Sequence, residues 1–191
     1  MIIVVLGPDG VGKTTIATEF AQSYGYTYIY GGSRNPATFL LKYRQKKSQK
    51  KSQKSQTSFT QQRVKKSFKS QVMRYLSLFL LLYDGWIKLK KLKKSHQNSI
   101  IDRSVIDIFV QNDEMWNLPK RDFIVKFFQG YFHTIVLLVA SPQEIYKRKA
   151  ELSIEEIQKQ LERYKYIVTL LDGKIIHNDN KNRTIEVIRN G

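Results

Sequence analysis

Ile2-Ile3-Val4-Val5-Leu6-Gly7-Pro8-Asp9-Gly10-Val11-Gly12-Lys13-Thr14-Thr15 is the stretch on which the fold turns. Its first five residues are apolar without a break and rich in β-branched side chains, the pattern of a central parallel strand covered on both faces. Gly7 to Gly12 interrupt the strand. From Lys13 the apolar positions Ile16, Ala17, Phe20 and Ala21 recur at helical spacing, and Gly25 supplies a stop. Gly7 to Thr14 satisfies the spacing G-x-x-x-x-G-K-[ST], with a strand before it and a helix after it. Glycines let successive backbone N–H groups converge on one anion, and the helix N-terminus adds positive potential there. The segment therefore reads as a phosphate cradle formed by Gly7, Asp9, Gly10, Val11, Gly12, Lys13, Thr14 and Thr15. Lys13 is expected to reach the terminal phosphates of ATP, and the Thr14 hydroxyl to ligate Mg²⁺.

Further along the chain, Thr27 to Tyr30 reads as a second strand, and Ser99 to Asp102 as a third that ends in an acid and leads into a helix from Val105 to Val110. Thr134 to Val139 is a buried strand. Ser141 as N-cap and Pro142 at the first helical position then open a helix running to about Ala150. Ser153 with Glu156 forms a capping box for a long helix through about Leu171, and Lys174 to His177 is the last strand. Strands alternating with helices in this way predict an α/β fold, a doubly wound parallel five-stranded sheet flanked by helices. At 191 residues the chain fits a single domain, 1–191, and shows no internal repeat.

Asp102 and Arg103 stand just past the carboxyl end of a predicted strand, the edge at which doubly wound sheets bind ligands. A carboxylate there can hold the magnesium or its waters, and an arginine can clamp phosphoryl oxygens. Lys147, Arg148 and Lys149 precede the break at Glu151 to Ser153, so residues 147–153 are expected to form a lid over the nucleotide. Arg163 is a further cation able to reach inward. His96, His133 and His177 share no metal-ligand spacing and read as structural.

Net charge is +17, and its placement is one-sided: Lys42 to Lys94 holds 17 Lys or Arg against the single acid Asp84. Such a field attracts polyanions, with an affinity that falls as salt rises. Residues 42–62 form a basic, low-complexity insertion of Lys, Ser and Gln. Val64 to Lys94 reads as a helix with a buried stripe of Val72, Leu76, Phe79, Leu80, Tyr83, Ile87 and Leu92, kinked or split at Gly85. The apolar run Leu76 to Tyr83 is short of the ~20 residues that span a bilayer, so no transmembrane segment is expected. The absence of cysteine excludes disulfides, thiolate metal sites and a cysteine nucleophile. A cytoplasmic protein is the simpler expectation.

Gly7 to Thr15 as GPDGVGKTT, followed by Ile100 to Arg103 as IIDR, resembles the thymidylate kinase family, whose members pair an Asp-Gly-containing P-loop with an Asp-Arg motif. The resemblance runs in order along most of the chain and implies a P-loop NTPase fold of nucleotide-kinase type, with ATP and Mg²⁺ as cofactors and a role in nucleotide biosynthesis. It places Asp9 near the acceptor's sugar hydroxyl, Arg34 in the phosphate clamp and Arg103 on the transferring phosphates. Arg148 in the lid is implied to supply a charge to the ATP, and Asn178 and Asp179 to lie near adenine. The family's thymine-holding arginine is absent after Leu78-Phe79; Tyr83 is the acceptor-binding candidate in that region. Ser104 stands where the family has tyrosine. Two-fold homodimers are also implied.

Three functions follow as alternatives. The first is transfer of the ATP γ-phosphate to dTMP or a related nucleoside monophosphate. The second is a kinase for a hydroxyl acceptor, a sugar or a nucleic-acid end, in which Asp9 or Asp107 orients the proton. The third is a nucleic-acid-binding P-loop ATPase that uses the basic 42–94 stretch.

Overall fold

The computed structural model describes residues 1–32 and 68–190, with side chains described from residue 76 onward in the second stretch except that of residue 77. Arg34 and the basic insertion 42–62 lie outside the described residues. The chain divides into one unit of residues 1–32 and 86–191 and a second of residues 33–85.

In the first unit, five strands form one all-parallel sheet in the order β2-β3-β1-β4-β5. They are β1 (Ile2–Leu6), β2 (Thr27–Tyr30), β3 (Ser99–Asp102), β4 (Thr134–Val139) and β5 (Lys174–His177). The apolar runs sort themselves by burial: β1, β3 and β4 are buried at every position, whereas β2 and β5, at the edges, are mostly exposed or half-buried. Val5 of β1 pairs in register with Asp102 of β3 on one side and with Val136 of β4 on the other. The Asp-Arg pair and the glycine loop therefore leave the sheet side by side at the carboxyl ends of adjacent strands, where such sheets bind ligands.

Helix α1 (Lys13–Tyr24) starts at Gly12 and stops at Gly25, which takes the left-handed conformation at φ 68°. Helix α2 is Phe68–Ser95. It is followed by α3 (Val105–Gln111), α4 (Asp113–Trp116), α5 (Arg121–Gln129), α6 (Pro142–Arg148), α7 (Ile154–Leu170) and α8 (Lys181–Arg189). Helix α1 packs on β2 and β3 and against α8, while α7 packs on β4 and β5 and gathers α3, α5 and α6 around it. Among the described residues Tyr164, Phe20 and Phe109 are the largest wholly buried side chains, and they fill these two helix layers. The predicted capping boxes Ser153–Glu156 and the Ser141 cap are formed, and Ser104 with Asp107 forms another at the start of α3.

Two expectations for α2 need correction. The helix is not split at Gly85, because one glycine costs only about 1 kcal/mol and many turns of helix lie on either side of it. Among its described side chains the buried ones are Leu78, Leu81 and Leu89, while Leu76, Phe79, Leu80 and Tyr83 are exposed; that of Val72 lies outside the described residues. An unbroken apolar run such as Leu76 to Tyr83 contains more than one candidate stripe, so periodicity alone does not select the face. The last turns of α2 belong to the first unit, where Trp86 Nε1 donates to the Tyr131 hydroxyl at 2.7 Å and Lys93 Nζ to the Gly130 carbonyl at 2.9 Å. No helix among the described residues is long and apolar enough to cross a membrane.

Candidate functional site

The glycine loop between β1 and α1 wraps around its own lysine. Lys13 is buried, and its Nζ donates to the carbonyl oxygens of Gly7 at 2.7 Å and Pro8 at 2.8 Å. Burial pulls its pKa below the ordinary lysine value; the charges of Asp107 and Asp9 work against that pull. Gly12, at φ 99°, sets the start of α1, and a Cβ there would lie 2.7 Å from Asn178 Nδ2. That close approach has a purpose: Asn178 Nδ2 donates to the Val11 carbonyl at 2.7 Å, bracing the loop from the β5–α8 connection. Its Oδ1 accepts from the Thr184 hydroxyl at 3.3 Å, so both ends of the amide are engaged.

Thr14 and Asp102 are joined directly. The Thr14 hydroxyl donates to Asp102 Oδ2 at 2.5 Å, and the Tyr28 hydroxyl donates to the same oxygen at 3.3 Å. Asp102 is wholly buried, and its Oδ1 has no hydrogen-bond partner among the described residues. Thr14 faces the cavity; Asp102 stands behind it.

Asp9 is the hub of the second cluster. Its Oδ1 accepts from Arg103 at 2.5 Å and lies 3.5 Å from Lys13 Nζ, and its Oδ2 lies 3.7 Å from Lys149 Nζ. Burial pushes the Asp9 carboxyl up, but Lys13, Arg103 and Lys149 together outweigh it and hold the group below the usual carboxylate range. Arg103 is likewise disfavoured by burial, yet Asp9 holds its guanidinium above the ordinary arginine value. The Arg103 backbone is at φ 68°, a left-handed conformation that costs a side-chain-bearing residue of order 1 kcal/mol. Gly31 permits it: the Gly31 N–H donates to the Asp102 carbonyl at 2.8 Å, and a Cβ on Gly31 would meet the Arg103 carbonyl oxygen at 1.8 Å.

Asp9, Lys13, Thr14 and Arg103 line a cavity of ≈ 520 Å³ with Arg148, Lys149, Asn178, Asp179 and Lys181. The sequence-derived residues Asp9, Gly10, Gly12, Lys13, Thr14, Thr15, Arg103, Arg148, Asn178 and Asp179 thus line one space. Gly7 and Val11 shape the loop from behind, Val11 being fully buried. Tyr83 belongs to the second unit, where it is exposed and its ring stacks on Phe79 with centroids 6.4 Å apart. Lys181 and Tyr28 were not among the expected site residues. Lys181 continues the Asn178-Asp179 loop and could have been read with it, whereas nothing in the local pattern of Thr27 to Tyr30 marks Tyr28.

Two candidates have other work. Asp107 is buried, its Oδ1 accepting from the Tyr164 hydroxyl and its Oδ2 from the Ser104 N–H, each at 2.6 Å. Burial raises its carboxyl above the ordinary value, with the charge of Lys13 opposing. Arg163 does reach inward, but to the Val110 carbonyl at 3.0 Å, to Asp113 and over the Trp116 ring rather than to the cavity.

No protein-family model matches the chain, and no curated protein matches its sequence. Among solved structures it is similar to the YorR protein from Bacillus subtilis, determined in complex with phosphorylated GDP, at 19% identity and a TM-score of 0.59, covering 99% of this chain and 94% of that one. Deoxyadenosine kinase from M. mycoides with bound dATP matches at 19% identity and a TM-score of 0.59, over 100% of this chain and 97% of that one. Thymidylate kinase from Candida albicans matches at 13% identity and a TM-score of 0.62, over 99% and 89%. At these identities the likeness shows the fold, that of the P-loop nucleoside and nucleotide kinases.

Proposed function

We propose that the chain is an ATP-dependent phosphotransferase whose acceptor is a nucleoside monophosphate, dTMP or a close relative. The observation that carries the reading is the single cavity in which the glycine loop, Lys13, Thr14, Arg103 and Arg148 meet. Backbone N–H groups and Lys13 would bind the triphosphate, and Arg103 and Arg148 would offset the charge that spreads over the transferring phosphoryl group. For Lys13 this means exchanging its present carbonyl acceptors for phosphate oxygens. Residues 147–153 would act as the lid, carrying Arg148 and Lys149 over the nucleotide and excluding water. Asp179, exposed at the rim, offers an acceptor for the adenine amino group, while Asn178 braces the loop.

The donor set suits magnesium. Among the described residues no three His, Asp or Glu side chains form a cluster able to cage a metal, whereas Thr14 on the cavity wall, with the half-satisfied Asp102 behind it, would hold a magnesium whose remaining positions phosphates and waters fill. Bound there, the ion would neutralise phosphate charge; Thr14 would hold it and Asp102 would orient Thr14.

The state of the carboxylates favours a phosphate acceptor over a hydroxyl. Asp9 is held ionised by three cations and is a weak proton acceptor, and both oxygens of Asp107 are already engaged. A phosphate nucleophile needs little help from a base. The test is ADP release from ATP with a panel of nucleoside monophosphates set beside deoxynucleosides and sugars. Stimulation by a monophosphate is expected; turnover with hydroxyl acceptors alone would replace this reading by the hydroxyl-kinase one.

A further inference from the structure

Edge strand β2 contributes more to the site than sheet pairing. Alternation along the strand puts Tyr28 and Tyr30 on one face. Each meets one member of the Asp-Arg pair: the Tyr28 hydroxyl donates to Asp102 Oδ2 at 3.3 Å, and the Tyr30 ring lies 5.8 Å from Arg103 Cζ. Thr14 donates to the same Asp102 oxygen, so two hydroxyls converge on Oδ2 while the buried Oδ1 is left without a partner among the described residues. A carboxylate tied at one oxygen by two donors from different elements cannot rotate without breaking one of them, and the lone pairs of its other oxygen are left without a donor among the described residues.

We propose that Tyr28 is a positioning residue for the metal half of the site: it fixes the Asp102 carboxylate, and through it the Thr14 hydroxyl, in the orientation that accepts a magnesium–nucleotide complex. This rests on the phosphotransferase reading above. Outer hydrogen bonds of this kind tune metal affinity by about 10- to 100-fold when removed.

The experiment uses the full chain and the non-hydrolysable probe AMP-PNP, titrated by calorimetry in excess Mg²⁺ and again in EDTA, with Mn²⁺ affinity read independently by electron paramagnetic resonance. Four proteins are compared: the parent, Tyr28→Phe, Asp102→Asn and the double variant. Phenylalanine keeps the ring and the strand preference, and the EDTA affinity of each variant reports whether the cradle is intact. Tyr28→Phe is expected to leave the EDTA affinity within about 2-fold of the parent and to lower the Mg²⁺-dependent gain and the Mn²⁺ affinity about 10-fold. In the Asp102→Asn background the same change should have no further effect. If Tyr28→Phe weakens binding equally with and without metal, or not at all, while Asp102→Asn abolishes the gain, the role of Tyr28 is overturned and the phosphotransferase reading stands. If Asp102→Asn itself leaves the gain intact, the assignment of Asp102 fails and Tyr28 falls with it.

Discussion

Arg103 sits in a left-handed backbone conformation beside a glycine that only just clears it, and that pairing makes Gly31 a sensitive position although it does not line the cavity. A methyl group on Gly31 would overlap the Arg103 carbonyl oxygen at 1.8 Å, so the backbone at the Asp-Arg pair must move. Gly31→Ala is expected to lower turnover about 100-fold, the loss typical of one misplaced charge-stabilising donor. Stability should fall by about 1–3 kcal/mol in a urea titration, the usual cost of overpacking. Unchanged turnover with parental stability would show that Arg103 tolerates the shift. The buried pair Asp107 and Tyr164 makes a pH-dependent prediction. Burial has raised the Asp107 carboxyl, so stability is lost as pH rises through its folded pKa, and the Tyr164 hydroxyl limits that loss by donating to the ionised form. Tyr164→Phe should therefore cost about 1–3 kcal/mol above the folded pKa of Asp107 and distinctly less below it, where the carboxyl carries its proton. Denaturant midpoints at several pH values measure this; a cost independent of pH would mean that the hydroxyl contributes packing only.

Helix starts are where the sequence speaks most plainly. Ser141 accepts from the Glu144 N–H at 3.3 Å and Glu144 returns to the Ser141 N–H at 3.2 Å, the reciprocal pattern that the Ser-Pro-x-Glu order suggests. Ser141→Ala should cost about 1 kcal/mol in a thermal or urea titration and leave AMP-PNP affinity unchanged. Strands β1 and β4 were equally legible, because a continuous run of branched apolar residues between glycine or polar breaks has few other homes. Helix α5 was not. It buries Val125 and Phe128 but exposes Phe123 at 74% and Phe127 at 52%, so its aromatic residues do not by themselves mark the buried face. Helix α4 has only four residues, and α8 is nine residues long with no hydrophobic run to announce it. The glycine loop, Lys13, Thr14 and the Asp102-Arg103 pair could be read because their spacing along the chain is the chemistry. Contacts such as Tyr28 to Asp102 and Tyr164 to Asp107 join residues 74 and 57 positions apart, and no local pattern encodes them.

Taken as a whole, the molecule concentrates nearly all of its +17 charge between Lys42 and Lys94. Retention on heparin and on single-stranded DNA should therefore be strong at low salt and fall steeply as salt rises. Stimulation of ATP hydrolysis by DNA would favour a nucleic-acid-dependent ATPase; retention without stimulation leaves the basic stretch as a charged surface. The P-loop underlies every reading of the site, and calorimetric titration of AMP-PNP into the parent and into Lys13→Ala, with melting curves as the control for folding, tests it directly. A folded Lys13→Ala protein that binds the nucleotide about 10- to 100-fold more weakly, the loss of one charge-assisted phosphate contact, is the predicted result. Parental affinity in that variant would contradict it.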